Sequence, residues 1–234
     1  PEGTFGPENN MTRAEVAQMF YNLLLDQDVT ITKTFGDVPA NAWYAKAVNT
    51  LASLGVVSGV GNGDFEPERS ITRAEFTSIA MKFAEGKTGG TNIFSDVKST
   101  DWFYRAVVNS TQYGWIHGYG DGTFRPNASI TRAEACKLIA SLLTESSGGS
   151  DALFSDVTAD AWYAEAVEEM TGYSLVSGYS DGTFRPSAKI TRAEFVTILS
   201  RIPHDDKGTE GSFTVYPRRT GRMTRCRPRW HRAG

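Results

Sequence analysis

The sequence predicts a mostly α-helical protein built from tandem helix–loop–helix repeats. Two short motifs recur along the chain in a fixed order. The first, Phe-x-Asp-Val, begins at Phe35, Phe94 and Phe154. The second, Thr-Arg-Ala-Glu, begins at Thr12, Thr72, Thr131 and Thr191. Successive copies of either motif lie 59 or 60 residues apart, and a fixed period of this kind is typical of repeat architectures.

The motif positions predict three full repeats and two incomplete flanking segments. The predicted boundaries are 1–34 (second half of a partial repeat), 35–90, 91–150 and 151–203 (full repeats), and 204–234 (an irregular tail). Gly- and Ser-rich stretches at 86–90 and 146–150 fit joints between repeats. One helix–loop–helix unit is too small to bury its apolar faces alone, so the repeats are expected to pack against each other.

The first helix of each repeat follows Phe-x-Asp-Val. In the first full repeat its apolar residues are Trp43, Tyr44, Ala47, Val48 and Leu51. This spacing describes one face of a helix. Trp102 and Trp162 take the place of Trp43 in the later repeats. A Trp at such a position fits core packing and also fits a platform for a sugar ring, so both interpretations stay open.

A short loop follows this helix. Gly55 and Gly114 stand where a left-handed residue would end the helix, whereas the third repeat has Ser174 there and is expected to end differently. The loops contain Asn62-Gly63, Asp121-Gly122 and Asp181-Gly182. Such dipeptides favour a type I′ turn, so a tiny hairpin or tight loop is expected. Tyr119 and Tyr179, beside these turns, are expected to be exposed enough to contact a carbohydrate.

The Thr-Arg-Ala-Glu motif is expected to start the second helix. Thr followed three residues later by Glu is a capping box, in which each side chain satisfies a backbone N–H of the first turn. The capping box does not account for Arg73, Arg132 and Arg192, because a cation at a helix start is mildly unfavourable. A guanidinium beside free helix N–H groups makes an anion site. Alternatively, each Arg pairs with a carboxylate such as the Asp of Phe-x-Asp-Val.

The order of these motifs resembles the S-layer homology domain. The resemblance rests on Phe-x-Asp-Val, Trp-Tyr-x-x-Ala-Val, Gly-Tyr-x-Asp-Gly-Thr-Phe-Arg-Pro and Ile-Thr-Arg-Ala-Glu-Phe, and it covers three full units from Phe35 to about Arg201. It implies a pseudo-threefold, mostly helical bundle with the shape of a three-pronged spindle. It also implies that grooves between repeats bind secondary cell wall polysaccharide, often through a pyruvylated amino sugar.

The resemblance also implies which residues bind the ligand. By motif these are Arg73, Arg132 and Arg192, with the loop residues Gly118, Asp121, Gly178 and Asp181; Trp102, Trp162, Tyr119 and Tyr179 are added as aromatic candidates. A pyruvate ketal carries a carboxylate, which suits an Arg at a helix start. The loop of the first full repeat departs from the pattern at Asn62 and Glu66, so its groove is expected to be weaker than those of the second and third repeats.

Charge and composition limit the partners. The net charge is −3, but residues 216–234 hold seven Arg and no acid, so the body is near −10. An acidic body argues against a nucleic-acid partner, and no apolar run is long enough for membrane insertion. Two cysteines, Cys136 and Cys226, do not make a disulfide framework. We expect no metal and no cofactor, because the three His lie in unrelated contexts and the loops lack the ligand pattern of an EF-hand.

The tail breaks the repeat. A fourth Phe-x-Asp-Val is due at Phe213, where the sequence reads Phe-Thr-Val-Tyr-Pro and continues into the Arg-rich run. One interpretation is a basic arm for anionic polymers. The other, which we favour, is a shift of reading frame, because the repeat and the apolar periodicity are lost together.

The predicted function is therefore non-covalent anchoring of a surface protein to the bacterial cell wall, outside the cell, with no enzymatic activity in these repeats. A cargo domain outside this sequence is compatible with that function. Two alternatives stay open: a self-assembling structural component of a surface layer, and the anchor fragment of a surface glycoside hydrolase.

Overall fold

The repeats fold into a mostly helical structure. The computed structural model describes residues 8–22, 24, 27–83, 88–142 and 154–201. The α-helices in these ranges are α1 (Arg13–Asn22), α2 (Ala45–Ser53), α3 (Arg73–Phe83), α4 (Tyr104–Ser110), α5 (Arg132–Leu142), α6 (Ala164–Gly172) and α7 (Arg192–Arg201). A 3₁₀ turn over Thr111–Tyr113 extends α4. Within the described ranges, strand pairing is limited to isolated bridges between loops.

The capping box is present at the start of each motif helix, as predicted. In α5 the backbone N–H of Thr131 donates to Oε2 of Glu134 at 2.8 Å, and the N–H of Glu134 donates to Oγ1 of Thr131 at 3.3 Å. The same pair of hydrogen bonds starts α1, α3 and α7. Each motif therefore fixes the residue at which its helix begins.

The helices α2, α4 and α6 begin later than the sequence pattern suggests. Their N-caps are Tyr44, Phe103 and Tyr163. Trp43, Trp102 and Trp162 thus lie in the turn that precedes each helix, and not on its apolar face. The aromatic residue after each Trp faces the core in its place, and the Trp ring packs edge-on against it.

The first helix of each full repeat packs against the motif helix of the preceding repeat. The pairs are α1 with α2, α3 with α4, and α5 with α6. A continuous core runs beneath them, and its largest fully buried side chains include Phe20, Phe65, Phe76, Phe124, Phe184 and Phe195. Because burial of one such ring contributes about 1.5–3 kcal/mol, the repeats stabilise one another.

The four motif segments close into a ring. Isolated antiparallel bridges join Thr12 to Ser70, Thr72 to Ser129, Thr131 to Lys189, and Asn10 to Thr191. The last bridge joins the partial N-terminal repeat to the third full repeat. The resemblance implied a pseudo-threefold assembly; in the described residues the ring of motif segments has four members, because the half-repeat contributes its own motif helix. Three of the four positions carry a complete helix pair.

The loops between the helices combine predicted and unexpected geometry. Gly55 and Gly114 adopt positive φ of 73° and 62°, and Ser174 adopts the same conformation at 57°, so the third helix pair ends like the others. The turn is tight but is not type I′, because Gly122 has positive φ while Asp121 does not. The N–H of Tyr119 donates across the loop to the carbonyl of Thr123 at 2.8 Å.

Other predictions have separate outcomes. No described helix is both long and apolar enough to cross a membrane. Cys136 is buried among apolar residues, and burial raises the pKa of its thiol to about 12. Cys226, the joint at 146–150 and the tail at 204–234 lie outside the described residues.

Candidate functional site

The Arg of the repeated motif is buried and reaches into the loop of the following repeat. Arg132, at 5% exposure, donates from Nε to the carbonyl of Phe184 at 2.8 Å and from Nη2 to the carbonyl of Ser177 at 3.2 Å. Its Nη1 lies 2.8 Å from Oε1 of Glu194, the capping-box Glu of the next motif. The guanidinium thus links two repeats through three separate interactions.

The same link recurs around the ring. Each motif Arg pairs with the Glu of the following motif: Arg13 with Glu75, Arg73 with Glu134, Arg132 with Glu194, and Arg192 with Glu15. From the sequence, this Arg had two possible roles: an anion site, or an ion pair with a carboxylate such as the Asp of Phe-x-Asp-Val. An ion pair is present, but its partner is the capping-box Glu.

The Asp of Phe-x-Asp-Val has a different role. The carboxylate of Asp96 accepts hydrogen bonds from the N–H groups of Phe124 and Arg125, at 2.7 and 2.8 Å. Asp37 and Asp156 bind the corresponding loops of their repeats in the same way. This contact holds Arg125 at a positive φ of 55°, a conformation that non-glycine residues seldom adopt.

Burial and pairing shift the pKa values in this ring. Burial lowers the pKa of the Arg73 guanidinium, which is 2% exposed. Burial alone would raise the pKa of Glu75, but the hydrogen bond from Arg69 and the charge of Arg13 outweigh it and hold that pKa below its ordinary value. The Glu75 carboxylate is therefore ionised at neutral pH and balances two guanidinium groups.

The predicted loop residues lie at the surface between these linked motifs. The carboxylate of Asp121 accepts from the N–H and Oγ1 of Thr123 and pairs with Arg125 at 2.9 Å. These hydrogen bonds, that of Thr123 first, lower the pKa of Asp121 to about 2. Asp181 repeats the arrangement in the third full repeat, and its pKa is also about 2. Both carboxylates are exposed and charged.

Gly118 and Gly178 are needed for close packing. A Cβ at Gly118 would lie 2.6 Å from the ring of Phe94, and one at Gly178 would lie 2.2 Å from the ring of Phe154. Only Gly lets the phenylalanine of Phe-x-Asp-Val pack against the loop backbone. The fold by itself accounts for these two glycines.

Tyr119 and Tyr179 each lie close to two guanidinium groups. The centroid of the Tyr119 ring is 3.8 Å from the guanidinium carbon of Arg125 and 5.1 Å from that of Arg73. Tyr179 has the same two kinds of neighbour, Arg185 at 3.9 Å and Arg132 at 5.0 Å. Both rings are half-buried, and the hydroxyl of Tyr179 also donates to Glu194. The predicted Arg and Tyr residues of neighbouring repeats are thus brought together.

Trp102 stands over an open groove between the first and second full repeats. Its side chain is 68% exposed, which is unusual for the largest apolar residue. The groove has a volume of about 850 Å³ and is lined by the loop Val56–Gly61, by α3 and by α4. Grooves of this size hold small ligands in many proteins. The aromatic ring is therefore available to a ligand and not committed to the core.

This first groove is positively charged. Four cations and one carboxylate line it: Arg13, Arg69, Lys82, Arg105 and Glu75. Glu75 is already paired with Arg13 and Arg69. Lys82 and Arg105 form no ion pair within the part of the chain that the structure describes. Burial and the nearby Lys33 lower the pKa of Lys82, so an anion beside it would be stabilising.

The second groove differs from the first. Trp162 occupies the position of Trp102, but its ring stacks on the imidazole of His117 at 4.7 Å with an interplanar angle of 8°. His117 stands where the first repeat has Ser58. The stacking partly covers Trp162, which is half-buried. Burial and the charge of Lys137 lower the pKa of His117, so the imidazole is neutral near pH 7.

The third full repeat borders another depression, of about 710 Å³. Gly178, Tyr173 and Arg201 are among the residues that line it. Nη1 of Arg201 donates to the carbonyl of Ser174 at 3.0 Å. The side of the depression on which Arg201 lies has an equivalent in the other grooves. In the first groove α4 of the following repeat forms that wall, and in the second groove α6 of the following repeat forms it.

Several residues of the first groove were missed by sequence reasoning. Lys82, Arg105 and Asn127 lie outside the recurrent motifs and have different residues at the equivalent positions of the other repeats. His117 was noted as an isolated histidine, without a role. The variation between repeats could have indicated these residues. A position that differs between otherwise similar repeats is not required by their shared fold.

Comparison with known proteins agrees with the motifs. A family model for the S-layer homology domain matches residues 1–17, 34–77, 93–136 and 153–196. The chain is 37% identical over 179 residues to a cellulosome-anchoring protein of Acetivibrio thermocellus, covering 72% of this chain and 40% of that protein. It is 32% identical over 163 residues to the surface-layer 125 kDa protein of Lysinibacillus sphaericus, covering 68% and 14%.

An enzyme is also similar over the repeats. An amylopullulanase of Thermoanaerobacterium thermosulfurigenes is 37% identical over 149 residues, covering 61% of this chain and 8% of the enzyme. The chain thus spans two fifths or less of the length of these relatives.

Proposed function

This chain belongs to the S-layer homology family, and on that premise we propose that it anchors a surface protein non-covalently to the bacterial cell wall. Proteins of this family are associated with the cell surface. The proposed ligand is an anionic secondary cell wall polysaccharide, with a pyruvylated amino sugar as the recognised unit. The observation that carries the proposal is the first groove, which is lined by an exposed Trp102 and by Lys82 and Arg105, two cations that form no ion pair with the described residues.

The chemistry of the groove suits an acidic sugar. The flat apolar face of a pyranose ring stacks on an aromatic side chain, and a carboxylate on the sugar pairs with Lys82 or Arg105. Ser58, Thr72 and Asn127 in the same groove supply groups that hydrogen-bond hydroxyls. A polymer gains further affinity when several of its units occupy several grooves.

We propose two kinds of role for the candidate residues. The exposed side chains of Trp102 and Asp121 and the half-buried ring of Tyr119 contact the polysaccharide. The motif residues Arg73 and Arg132 act by holding the loop carbonyls and the adjacent motif in place, since their guanidinium groups are buried and paired. The domain boundaries predicted above are part of this proposal, with the three helix pairs as the three prongs of the assembly.

A catalytic role is not part of the proposal. The segment shared with the amylopullulanase is 8% of that enzyme, so its activity does not carry over to these repeats. A self-assembling structural component of the surface layer is the alternative, and the similarity to a surface-layer protein supports it.

Sedimentation with purified cell walls tests the anchoring function. The chain should sediment with sacculi that carry the polysaccharide and remain in the supernatant after the polysaccharide has been extracted chemically. Trp102→Ala should reduce the bound fraction, while Lys98→Ala, which removes an exposed cation outside the groove, should not. Equal sedimentation with extracted sacculi would point to peptidoglycan or to self-assembly, and would contradict the proposal.

A further inference from the structure

The first and second grooves share a backbone plan but differ in the residues that face a ligand. Two matched positions carry this difference. Ser58 and Arg105 of the first groove correspond to His117 and Glu165 of the second, while Trp102 and Trp162 are the same residue in both. The shared fold does not require these differences, because the motifs around them are unchanged.

The rings of Trp102 and Trp162 differ in how accessible they are to a ligand. Trp102 is 68% exposed and lines its groove together with the small Ser58. Trp162 is covered on one face by His117, with nearly parallel rings. A sugar ring stacks on a face of the Trp, and in the second groove the imidazole already occupies one face. Binding to that face requires the stacked pair to separate first, at a cost in affinity.

The charges also differ. The first groove has Arg105 and Asn109 on α4, whereas Glu165 and Glu169 occupy the equivalent positions on α6. Glu165 and Glu169 are close enough that burial and the charge of Glu165 raise the pKa of Glu169. Lys137 lies near Glu169 and His117 and offsets part of this negative charge. An acidic sugar is therefore attracted to the first groove and opposed at the second.

We propose that the chain recognises acidic sugar in the first groove and that His117, stacked on Trp162 beside Glu165 and Glu169, closes the second groove to it. His117 is thus a specificity-determining residue. The inference rests on the proposed function for the identity of the ligand class, but the closed stack is a property of the free protein. It differs from the expectation drawn from the loop motifs alone, which ranked the second groove above the first.

Titration calorimetry with a pyruvylated amino-sugar disaccharide tests the ligand preference. Wild type should bind at the first groove and not at the second. Trp102→Ala and Arg105→Ala should each weaken this binding by about tenfold or more, while Trp162→Ala should change the affinity less than about twofold. The double variant His117→Ser with Glu165→Arg, which copies the first groove, should gain one further equivalent relative to wild type. Loss of an equivalent in Trp162→Ala, or no gain in the double variant, would overturn the inference.

Acrylamide quenching of tryptophan fluorescence tests the closed stack without any ligand. His117→Ser should raise the quenching constant relative to wild type, and this rise should vanish when both proteins also carry Trp162→Phe. An unchanged constant would show that His117 does not cover Trp162, and would refute the inference even if cell-wall sedimentation succeeds. Conversely, the quenching constant could rise as expected while the protein binds neither walls nor disaccharide. This result would refute the anchoring function and support only the covering of Trp162 by His117.

Discussion

The ring of ion pairs predicts that Arg132→Ala will destabilise the fold as a whole. The substitution removes a guanidinium that donates to the carbonyls of Phe184 and Ser177 and pairs with Glu194. The carbonyls of Phe184 and Ser177 then lose these donors. The carboxylate of Glu194, which is 19% exposed, loses its cationic partner. All three acceptors belong to the next repeat, so the loss falls on the contact between repeats.

The size of the effect follows from this burial. Removing one member of a buried ion pair costs about 3–5 kcal/mol, because the other charge stays buried without compensation. Water reaches part of Glu194, which places the expected loss at about 2–4 kcal/mol. A loss of 1 kcal/mol lowers Tm by about 2–4 °C in a protein of this size, so Tm should fall by roughly 4–16 °C.

Thermal unfolding followed by far-UV circular dichroism measures this loss. Arg185→Ala is the matched control, since it breaks an exposed pair with Asp181 and should cost at most about 1 kcal/mol. Combining Arg132→Met with Glu194→Gln should recover part of the stability, because Gln can still accept the capping hydrogen bond from Thr191 and no unpaired charge is then buried. If Arg132→Ala melts like Arg185→Ala yet loses wall binding, the guanidinium acts on the ligand and the structural interpretation is refuted.

Three further outcomes follow from the same contacts. Glu15→Gln should lower Tm by opening the ring at Arg192, and an unchanged Tm would show that the half-repeat does not close the ring. Gly118→Ala should cost about 1–3 kcal/mol in urea unfolding, because its Cβ would meet the Phe94 ring; a neutral result would mean that the ring can move aside. The pKa of Glu75 is lower in the folded state than the ordinary 4.5, so its stabilisation is full above that pH and is lost as pH falls through the folded value. Acid titration of Tm should therefore show a decline that begins below about pH 4.5 and is smaller in Glu75→Gln.

Local features of the fold were predictable from the sequence. The capping boxes at Thr72 and Thr131 start their helices as predicted, because both partners of each hydrogen bond lie within four residues. The left-handed helix ends at Gly55 and Gly114 were also predicted correctly. The prediction of a type I′ turn was wrong, because Asp121 does not have a positive φ; its carboxylate instead accepts a hydrogen bond from the N–H of Thr123.

Features that depend on distant residues were not predictable. The partner of Arg132 is Glu194, 62 positions away. Glu194 already had a local role in its own capping box, so nothing in the sequence indicated that it also pairs with an Arg of another repeat. The orientation of Trp102 depends on where α4 begins, and the usual margin of one or two residues in a helix boundary is enough to move the ring from the core to the surface. The roles assigned to the ligand-binding residues stay predictions until binding is measured.

The seam between Asn10 and Thr191 has a consequence for the connectivity of the protein. Residues at the start and at the end of the described chain are neighbours there, held by the same kind of bridge that joins the other motifs. The ring therefore requires the contacts between repeats, but it does not require a particular order of the repeats along the backbone. A circularly permuted chain, opened at the joint near residue 88 and connected across the seam, would present the same set of bridges. An open solenoid lacks this property, because its first and last repeats never meet.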